Sequence, residues 1–251
     1  MRGFLRAWTP YDLGPGCLAA WWSADDHGTA RMTDDGAGLI SNWVDRAQGL
    51  ALTATTTARP TWASTAFNGA KAGLTFDGTA NALVTTTLTG LPTGAVDGEI
   101  WIVCQSTRTS VDSATYCAVR YGGTADGAFR GLSRSRPSVN GRAKVDVSSV
   151  EGANTLIDTA LDADVALLSM RGKFSGTTLA QDVNGAAATP GSATGVTALS
   201  TGTSRLRVGS SNTVSPGNFW KGPIRHVLIL RGLLPAKEEA LMRAWAIADV
   251  I

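Results

Sequence analysis

Few side chains in this sequence combine a type and a spacing that could do chemistry. The two histidines, His27 and His226, belong to no signature that sets them beside a serine or cysteine nucleophile. There is no G-x-S-x-G elbow and no H-E-x-x-H or C-x-x-C zinc pattern. Glutamate is scarce, with only Glu99, Glu151, Glu238 and Glu239. No catalytic residue is assigned. The most polar cluster is Asp25-Asp26-His27, where Asp25 and Asp26 offer oxygen ligands for Ca2+ or a sugar. The alternative is a solvated turn whose aspartates cap local amides. Asp34-Asp35-Gly36 reads as a turn first and a ligand second.

Segment 129–144 carries Arg130, Arg134, Arg136, Arg142 and Lys144 and no acid. It reads as a solvated hairpin or as a contact for an acidic partner or anionic surface glycans, since guanidinium forks grip carboxylate and phosphate. Trp22, Trp62 and Tyr121 are the candidate sugar platforms, with burial in the core as the alternative. Cys17, Cys104 and Cys117 are an odd count, poor for a disulfide framework. They read as small apolar core residues. Should 99–107 and 114–121 form a hairpin, however, Cys104 and Cys117 would face each other and could oxidise outside a reducing cell.

The elements that must position these residues are strands. The chain has 251 residues, enough for one large all-β domain. Glycine is abundant at 29 residues, and turn formers outnumber strong helix formers. Basic and acidic residues nearly balance, 22 against 20, which argues against a dedicated nucleic-acid binder. No apolar run reaches 18 residues and no signal peptide is visible, so synthesis and assembly in a cytoplasm, without membrane insertion, are expected.

Alternating or apolar runs occur at 17–24, 38–44, 50–53, 73–76, 82–86, 99–107, 139–147, 164–173, 177–183, 204–210 and 220–230. About a dozen strands at this spacing mean a sandwich or a barrel. Asn68-Gly69, Asp77-Gly78 and Asn184-Gly185 are turns. One helix is expected over 235–249. Pro235 suits its first position, Glu238 and Glu239 suit its N-terminal dipole, and Leu241, Trp245 and Ala248 form the apolar stripe. Residues 1–12 form an arm and 13–251 the domain. In the arm, Phe4, Leu5, Trp8 and Tyr11 either fold back or dock on a partner.

The ordered landmarks resemble those of concanavalin A-like (laminin G-like) jelly-roll domains of bacteriophage and gene-transfer-particle structural proteins. Trp8, Leu13, Trp21-Trp22 and Asp25-Asp26 are similar to the family's F-x-P…L-P-G-L-x-x-W-Y-D-A-S-D opening. Trp43 with Asp45-Arg46, then Arg59-Pro60, Asn68-Gly69 and Phe76-Asp77-Gly78, follow in order. L-R-V-G over 206–209 precedes a 220–230 run similar to F-x-G-x-I-A-E-V-L-V-Y. The chain departs at Arg231, where relatives often carry Asp, and at Leu234-Pro235, where they often place a Ser or Thr cap.

The resemblance implies an all-β, two-sheet concanavalin A-like jelly-roll sandwich with one C-terminal helix. It makes Trp21, Trp43 and Trp220 core residues. It implies a non-enzymatic virion structural protein of the tail, fibre, spike or capsid surface, homo-oligomeric, contacting other virion proteins and host-surface polysaccharide. Members of this fold that cleave glucans carry E-x-D-x-x-E, placing two carboxyls roughly 5 Å apart, and no glutamate here sits in that pattern. A free carbohydrate-binding lectin module is the alternative, and a glycan-cleaving enzyme the remote one. No cofactor is expected beyond the Ca2+ that Asp25 and Asp26 would hold.

Overall fold

A computed structural model of the chain describes residues 7–14, 16–93, 96–107, 116–123, 129–135, 142–148, 154–160, 166–175, 178–187, 191–192, 204–211 and 217–250. The strands among them are β1 (Leu18–Ser23), β2 (Met32–Asp34), β3 (Ile40–Val44), β4 (Ala51–Thr53), β5 (Thr61–Phe67), β6 (Lys71–Asp77), β7 (Leu83–Thr85), β8 (Gly98–Ser106), β9 (Tyr116–Gly123), β10 (Phe129–Ser135), β11 (Arg142–Ser148), β12 (Asn154–Ala160), β13 (Ala166–Ser175), β14 (Thr178–Val183), β15 (Ala186–Ala187), β16 (Gly191–Ser192), β17 (Ser204–Val208) and β18 (Lys221–Arg231). A single α-helix, α1 (Ala236–Ala248), follows among the described residues.

These strands form two antiparallel sheets, as the sequence leads one to expect. Sheet I runs β15-β14-β13-β8-β18-β6-β5, with β1 also on β18 and β16 on β14. Sheet II runs β12-β11-β10-β9-β17-β7-β4-β3-β2. The eleven-residue β18 is the spine of sheet I. Its first half pairs with β6 and its second half with β1, while β8 lies along its other side. This is why the stretch 227–230 is continuously apolar rather than alternating: Val227 and Ile229 face one core and Leu228 and Leu230 the other.

Two cores result. Between the sheets lie Trp22, Trp43, Phe76, Ile100, Ile102, Tyr121, Leu206, Val208, Trp220, Val227 and Ile229, among others. Outside sheet I, beneath α1, lie Trp21, Trp101, Val103, Leu228, Leu230, Met242 and Ala246. The period-2 alternation of β8 sends Ile100, Ile102 and Cys104 inward, and Trp101 and Val103 outward to the helix. Each such fully buried side chain contributes roughly 1.5–3 kcal/mol. The expected core positions of Trp21, Trp43 and Trp220 are observed.

A buried charge cluster fixes the helix. Glu99 is fully buried and accepts from Arg171 Nε and Nη2, from Trp101 Nε1 and from the Leu234 N–H. Arg171 also reaches Asp182 on β14 and Glu239 on α1. Buried charges persist only when paired and hydrogen-bonded, and this cluster lies where α1 begins. At the other end, Asp249 meets Arg225, His226 and Lys71.

Of the expected stripe, Trp245 packs on the outer core with its ring edge-on to Trp21, but the helix's fully buried residues are others. Met242 and Ala246 are its buried residues, and Leu241 is exposed. Met242 and Ala246 are one turn apart, so they share the face turned to the outer core, to which Leu234 also belongs. The cysteine hairpin is also corrected. Cys104 lies on β8 in sheet I and Cys117 on β9 in sheet II, so no ladder pairs them, and all three cysteines are free thiols. The 99–107 strand is legible in the sequence, but its partners are β13 and β18, whereas β9 pairs with β10 and β17. The expected turns are present: Asn68 and Asn184 take positive φ, and Asp77 accepts the N–H groups of Thr79, Ala80 and Asn81.

Candidate functional site

The outer face of sheet I is occupied by α1, whereas the outer face of sheet II carries arginines. On β17, Leu206 and Val208 point into the core, so the residues that alternate with them, Arg205 and Arg207, lie on the opposite face. On β9, Val119 and Tyr121 point inward, which puts Arg120 on that same outer face. Register aligns them: Arg207 pairs with Arg120, and Arg205 with Gly122. On the far side of β9, Arg120 faces Gly131 of β10 and Gly122 faces Phe129. The Arg120 guanidinium lies 3.7 Å from the Phe129 ring centroid, a cation–π contact.

Three guanidinium groups therefore share a patch in which two of the neighbouring positions are glycines. A side chain at 131 would begin 3.0 Å from the Val119 carbonyl oxygen and 3.4 Å from the Arg120 stem. Arg207 is 8% exposed, and its Nε has no hydrogen-bond partner. The Nε of Arg205 is equally buried and unpartnered. Burial, and secondarily the charge of Arg205, hold the Arg207 guanidinium below its usual range. Among the described residues, Arg46 clasps Asp26, Arg225 clasps Asp25, and Arg243 reaches Asp182 and Glu239.

The basic segment expected to be a surface contact divides otherwise. Arg130 and Arg134 are buried, at 4% and 0% exposure, because Leu132 between them fixes the face they share and that face is the core. Arg130 donates to the Val96 carbonyl and lies over the Phe174 ring of sheet I. Both lie on the core face of β10 with Leu132 and not on its outer face. Arg136 lies outside the described residues, as do the side chains of Arg142 and Lys144.

Two of the three candidate sugar platforms are interior residues. Trp22 is fully buried and donates to the Leu50 carbonyl; Tyr121 is 1% exposed and donates to Pro92 O. Neither offers a face to a sugar. Trp62 is half-buried on the edge strand β5, its ring stacked at 3.7 Å on His27 and its Nε1 bonded to Ala24 O. His27 in turn meets Asp34 at 2.7 Å, and this hydrogen bond holds the Asp34 carboxyl below its ordinary value.

Asp25 and Asp26 turn onto different arginines, Arg225 and Arg46, rather than converging on a common point. Among the described residues, no group of three His, Cys, Asp or Glu side chains is placed to hold a metal ion. In the arm, Trp8 packs against the outer core, and Tyr11, 51% exposed, sets its ring edge-on to Trp21 at 4.9 Å. Phe4 and Leu5 lie outside the described residues. No helix among the described residues is long and apolar enough to cross a membrane.

Arg120, Arg205 and Arg207 are absent from the residues that the sequence singles out. A signal for two of them exists in the R-L-R-V alternation of 205–208, which puts two cations on one face of a strand. The denser basic run at 129–144 masks it.

No protein-family model matches the chain, and no curated protein does. Its likenesses are to solved structures. A mutant GH54 α-L-arabinofuranosidase soaked with 4-nitrophenyl α-L-arabinofuranoside superposes with a TM-score of 0.64 at 16% identity, over 93% of this chain and 59% of that one. Domain 4 of AbnA, a GH43 extracellular arabinanase from Geobacillus stearothermophilus, in complex with arabinotriose, gives 0.56 at 13% identity, covering 94% of this chain and 98% of that one. The Ruminococcus gnavus IT-sialidase CBM40 bound to α2,6-sialyllactose gives 0.51 at 11% identity, covering 71% of this chain and 96% of that one. The chain thus spans under two thirds of the length of the arabinofuranosidases it resembles. At these identities the likeness is one of fold. It corrects the expectation of a non-enzymatic chain, which rested on missing motifs and on the resemblance to structural proteins, because the fold is one that GH54 glycoside hydrolase structures contain.

Proposed function

We propose that this chain is a carbohydrate-binding β-sandwich and that its ligand lies on the outer face of sheet II, over β9, β10 and β17. The observation that carries this reading is the patch of Arg120, Arg205 and Arg207 on the sheet face opposite the core, away from α1. Guanidinium N–H groups donate to hydroxyl, ring and carboxyl oxygens. A rigid sheet holds them at fixed spacing, which reduces the ordering cost of binding. Two fold neighbours that are matched over nearly their whole length, the arabinanase domain and the CBM40, are described with arabinotriose and sialyllactose bound, which supports a glycan as the ligand class.

The test is a glycan array probed with the purified chain, followed by calorimetric titration of the hits. Saturable binding that weakens in an Arg120→Ala variant of unchanged fold supports the reading. Binding to no glycan, or binding untouched by changes on this face, overturns it. Release of reducing sugar from a bound glycan would extend the reading to cleavage.

A second reading places the chain on a phage or gene-transfer particle as a homo-oligomeric surface component. It is supported by the ordered landmarks from Trp8 to Trp220. In that setting residues 1–12, with Phe4, Leu5, Trp8 and Tyr11, dock on another virion protein, and the sheet II face meets host polysaccharide. Mass spectrometry of purified particles tests it: absence of the polypeptide from them overturns it.

A further inference from the structure

We infer that α1 is a self-association surface: its outward face meets the same face of a second copy of this chain, with the two helices antiparallel about a dyad midway along them. The surface lies outside sheet I, on the side opposite the proposed glycan face, and does not rest on the glycan reading.

The charges of α1 turn inward. Glu239 and Arg243 are engaged with Arg171, Lys173, Asp182 and the Gly185 carbonyl. The exposed residues of the helix are Ala236, Lys237, Ala240, Leu241, Ala244 and Ala248. Past Lys237 none of them is charged or polar. A surface helix normally carries polar residues on the side away from its core, and a helix apolar all round is covered. In α1, Met242 and Ala246 lie against sheet I, while the opposite side is alanine and leucine. Leu233, just before the helix, and Leu241 are two of the four large apolar side chains exposed among the described residues. Along the helix this face continues into a hollow of about 450 Å³ lined by Ala236, Glu239, Ala240, Arg243, Ala244 and Ile247.

The same face indicates its occupant. Ala236, Ala240 and Ala244 stand four residues apart and share one side of the helix. Such small side chains let two helix axes approach to about 8 Å, the near end of the usual range. The single charge sets the direction. Lys237 is in the first turn, where a cation opposes the dipole of its own helix. Beside an antiparallel α1 it meets the C-terminal turn, whose carbonyls carry partial negative charge; beside a parallel one, the two lysines would meet each other. A two-fold register that sets Ala240 against the second copy's Ala244 also brings Lys237 near its Ala248 and the two Leu241 side chains together beside the dyad. The face is thus self-complementary, as a two-fold interface requires. A helix of thirteen residues is about 20 Å long. The contact therefore lies at or below the small end of specific interfaces, about 1,200 Å² in total, and monomer and dimer exchange with concentration.

Sedimentation velocity of the full chain over a series of concentrations is the test. The expected result is a mass that rises from that of one chain to that of two. Ala244→Arg and Leu241→Glu, both at exposed positions, set like charges across the dyad and should each weaken the dimer at least roughly tenfold. Lys237→Glu should weaken it at least roughly threefold, although an acid suits the first turn of its own helix better. Thr65→Arg, on the exposed edge strand β5, should leave it unchanged. Circular dichroism establishes that each variant is folded, and either of the first two carries the test should the other fail to fold. A chain that stays monomeric at every concentration overturns the inference. So does a dimer that Ala244→Arg and Leu241→Glu leave intact, or one lost in Thr65→Arg instead. A dimer strengthened by Lys237→Glu overturns it as well, since the helices would then be parallel.

Discussion

Arg207 on β17 stands directly across the ladder from Arg120 on β9, with Arg205 two residues along on the same face. A pair of like charges at one register position works against folding, by roughly 0.2–1 kcal/mol. A binding surface held against that cost should be improvable in stability at the expense of its ligand. Arg207→Gln is therefore expected to raise the melting temperature by about 1–3 °C at low salt for a chain of this length, with the gain shrinking as salt screens the repulsion. Thermal unfolding at two ionic strengths measures it. A clear loss of stability at low salt would show that Arg207 serves the fold instead.

Arg171 should behave in the opposite way. It joins Glu99, Asp182 and Glu239 across β8, β14 and α1, and its guanidinium also lies 4.8 Å from the centre of the Trp101 ring. Removing one partner of a buried charge cluster leaves the others uncompensated, at a cost of about 3–5 kcal/mol. Arg171→Met should lower denaturant stability by that order and loosen α1. An unchanged denaturation midpoint would contradict the clamp.

The same cluster sets an acid limit. Hydrogen bonding from Arg171 is the largest influence on Glu239 and, with Lys173, holds its carboxyl at about 2, below its ordinary 4.5, against the opposing effect of burial. Its folded-state value is depressed, so its stabilisation is present above pH 4.5 and is lost as pH falls from there towards 2. Glu239→Gln should be less stable than the parent at pH 7, by about 1–3 kcal/mol, and the difference should narrow through that window. A parallel pair of stability-versus-pH curves would refute this assignment.

Thiol chemistry distinguishes the three cysteines. Cys104 is fully buried, and burial pushes its thiol far above the ordinary range. Cys117 is 1% exposed and Cys17 half-buried. Native alkylation read by mass spectrometry should label Cys17 first, and the non-reduced intact mass should show three thiols. A mass lower by two hydrogens, with Cys104 and Cys117 joined, would contradict the placement of their strands in opposite sheets.

The strands legible in the sequence are those whose inward positions are apolar. Segments 99–107 and 177–183, and the turn at Asn184-Gly185, appear nearly as read. The Asn184 side chain also ties the turn to the backbone at Leu167 and Ser169. β5, with its mostly exposed run of threonine, serine and alanine, and β10, with arginine at two inward positions, offer no apolar pattern to find. The site is hidden for the same reason in reverse. Counting charges along 129–144 finds Arg130 and Arg134, but which face a strand's arginines take depends on the neighbour that fills the core. Leu132 draws that pair inward, whereas Leu206 and Val208 turn Arg205 and Arg207 outward. No local pattern links Arg120 to Arg207; only the pairing of β9 with β17 does.

The claim that the glycan lies on sheet II is tested most directly by hydrogen–deuterium exchange of the chain with and without a saturating glycan ligand found by array. The account predicts slowed exchange concentrated in 116–123, 129–135 and 204–211. Protection confined to the Trp62–His27 edge or to α1, with β9 and β17 unchanged, would contradict it.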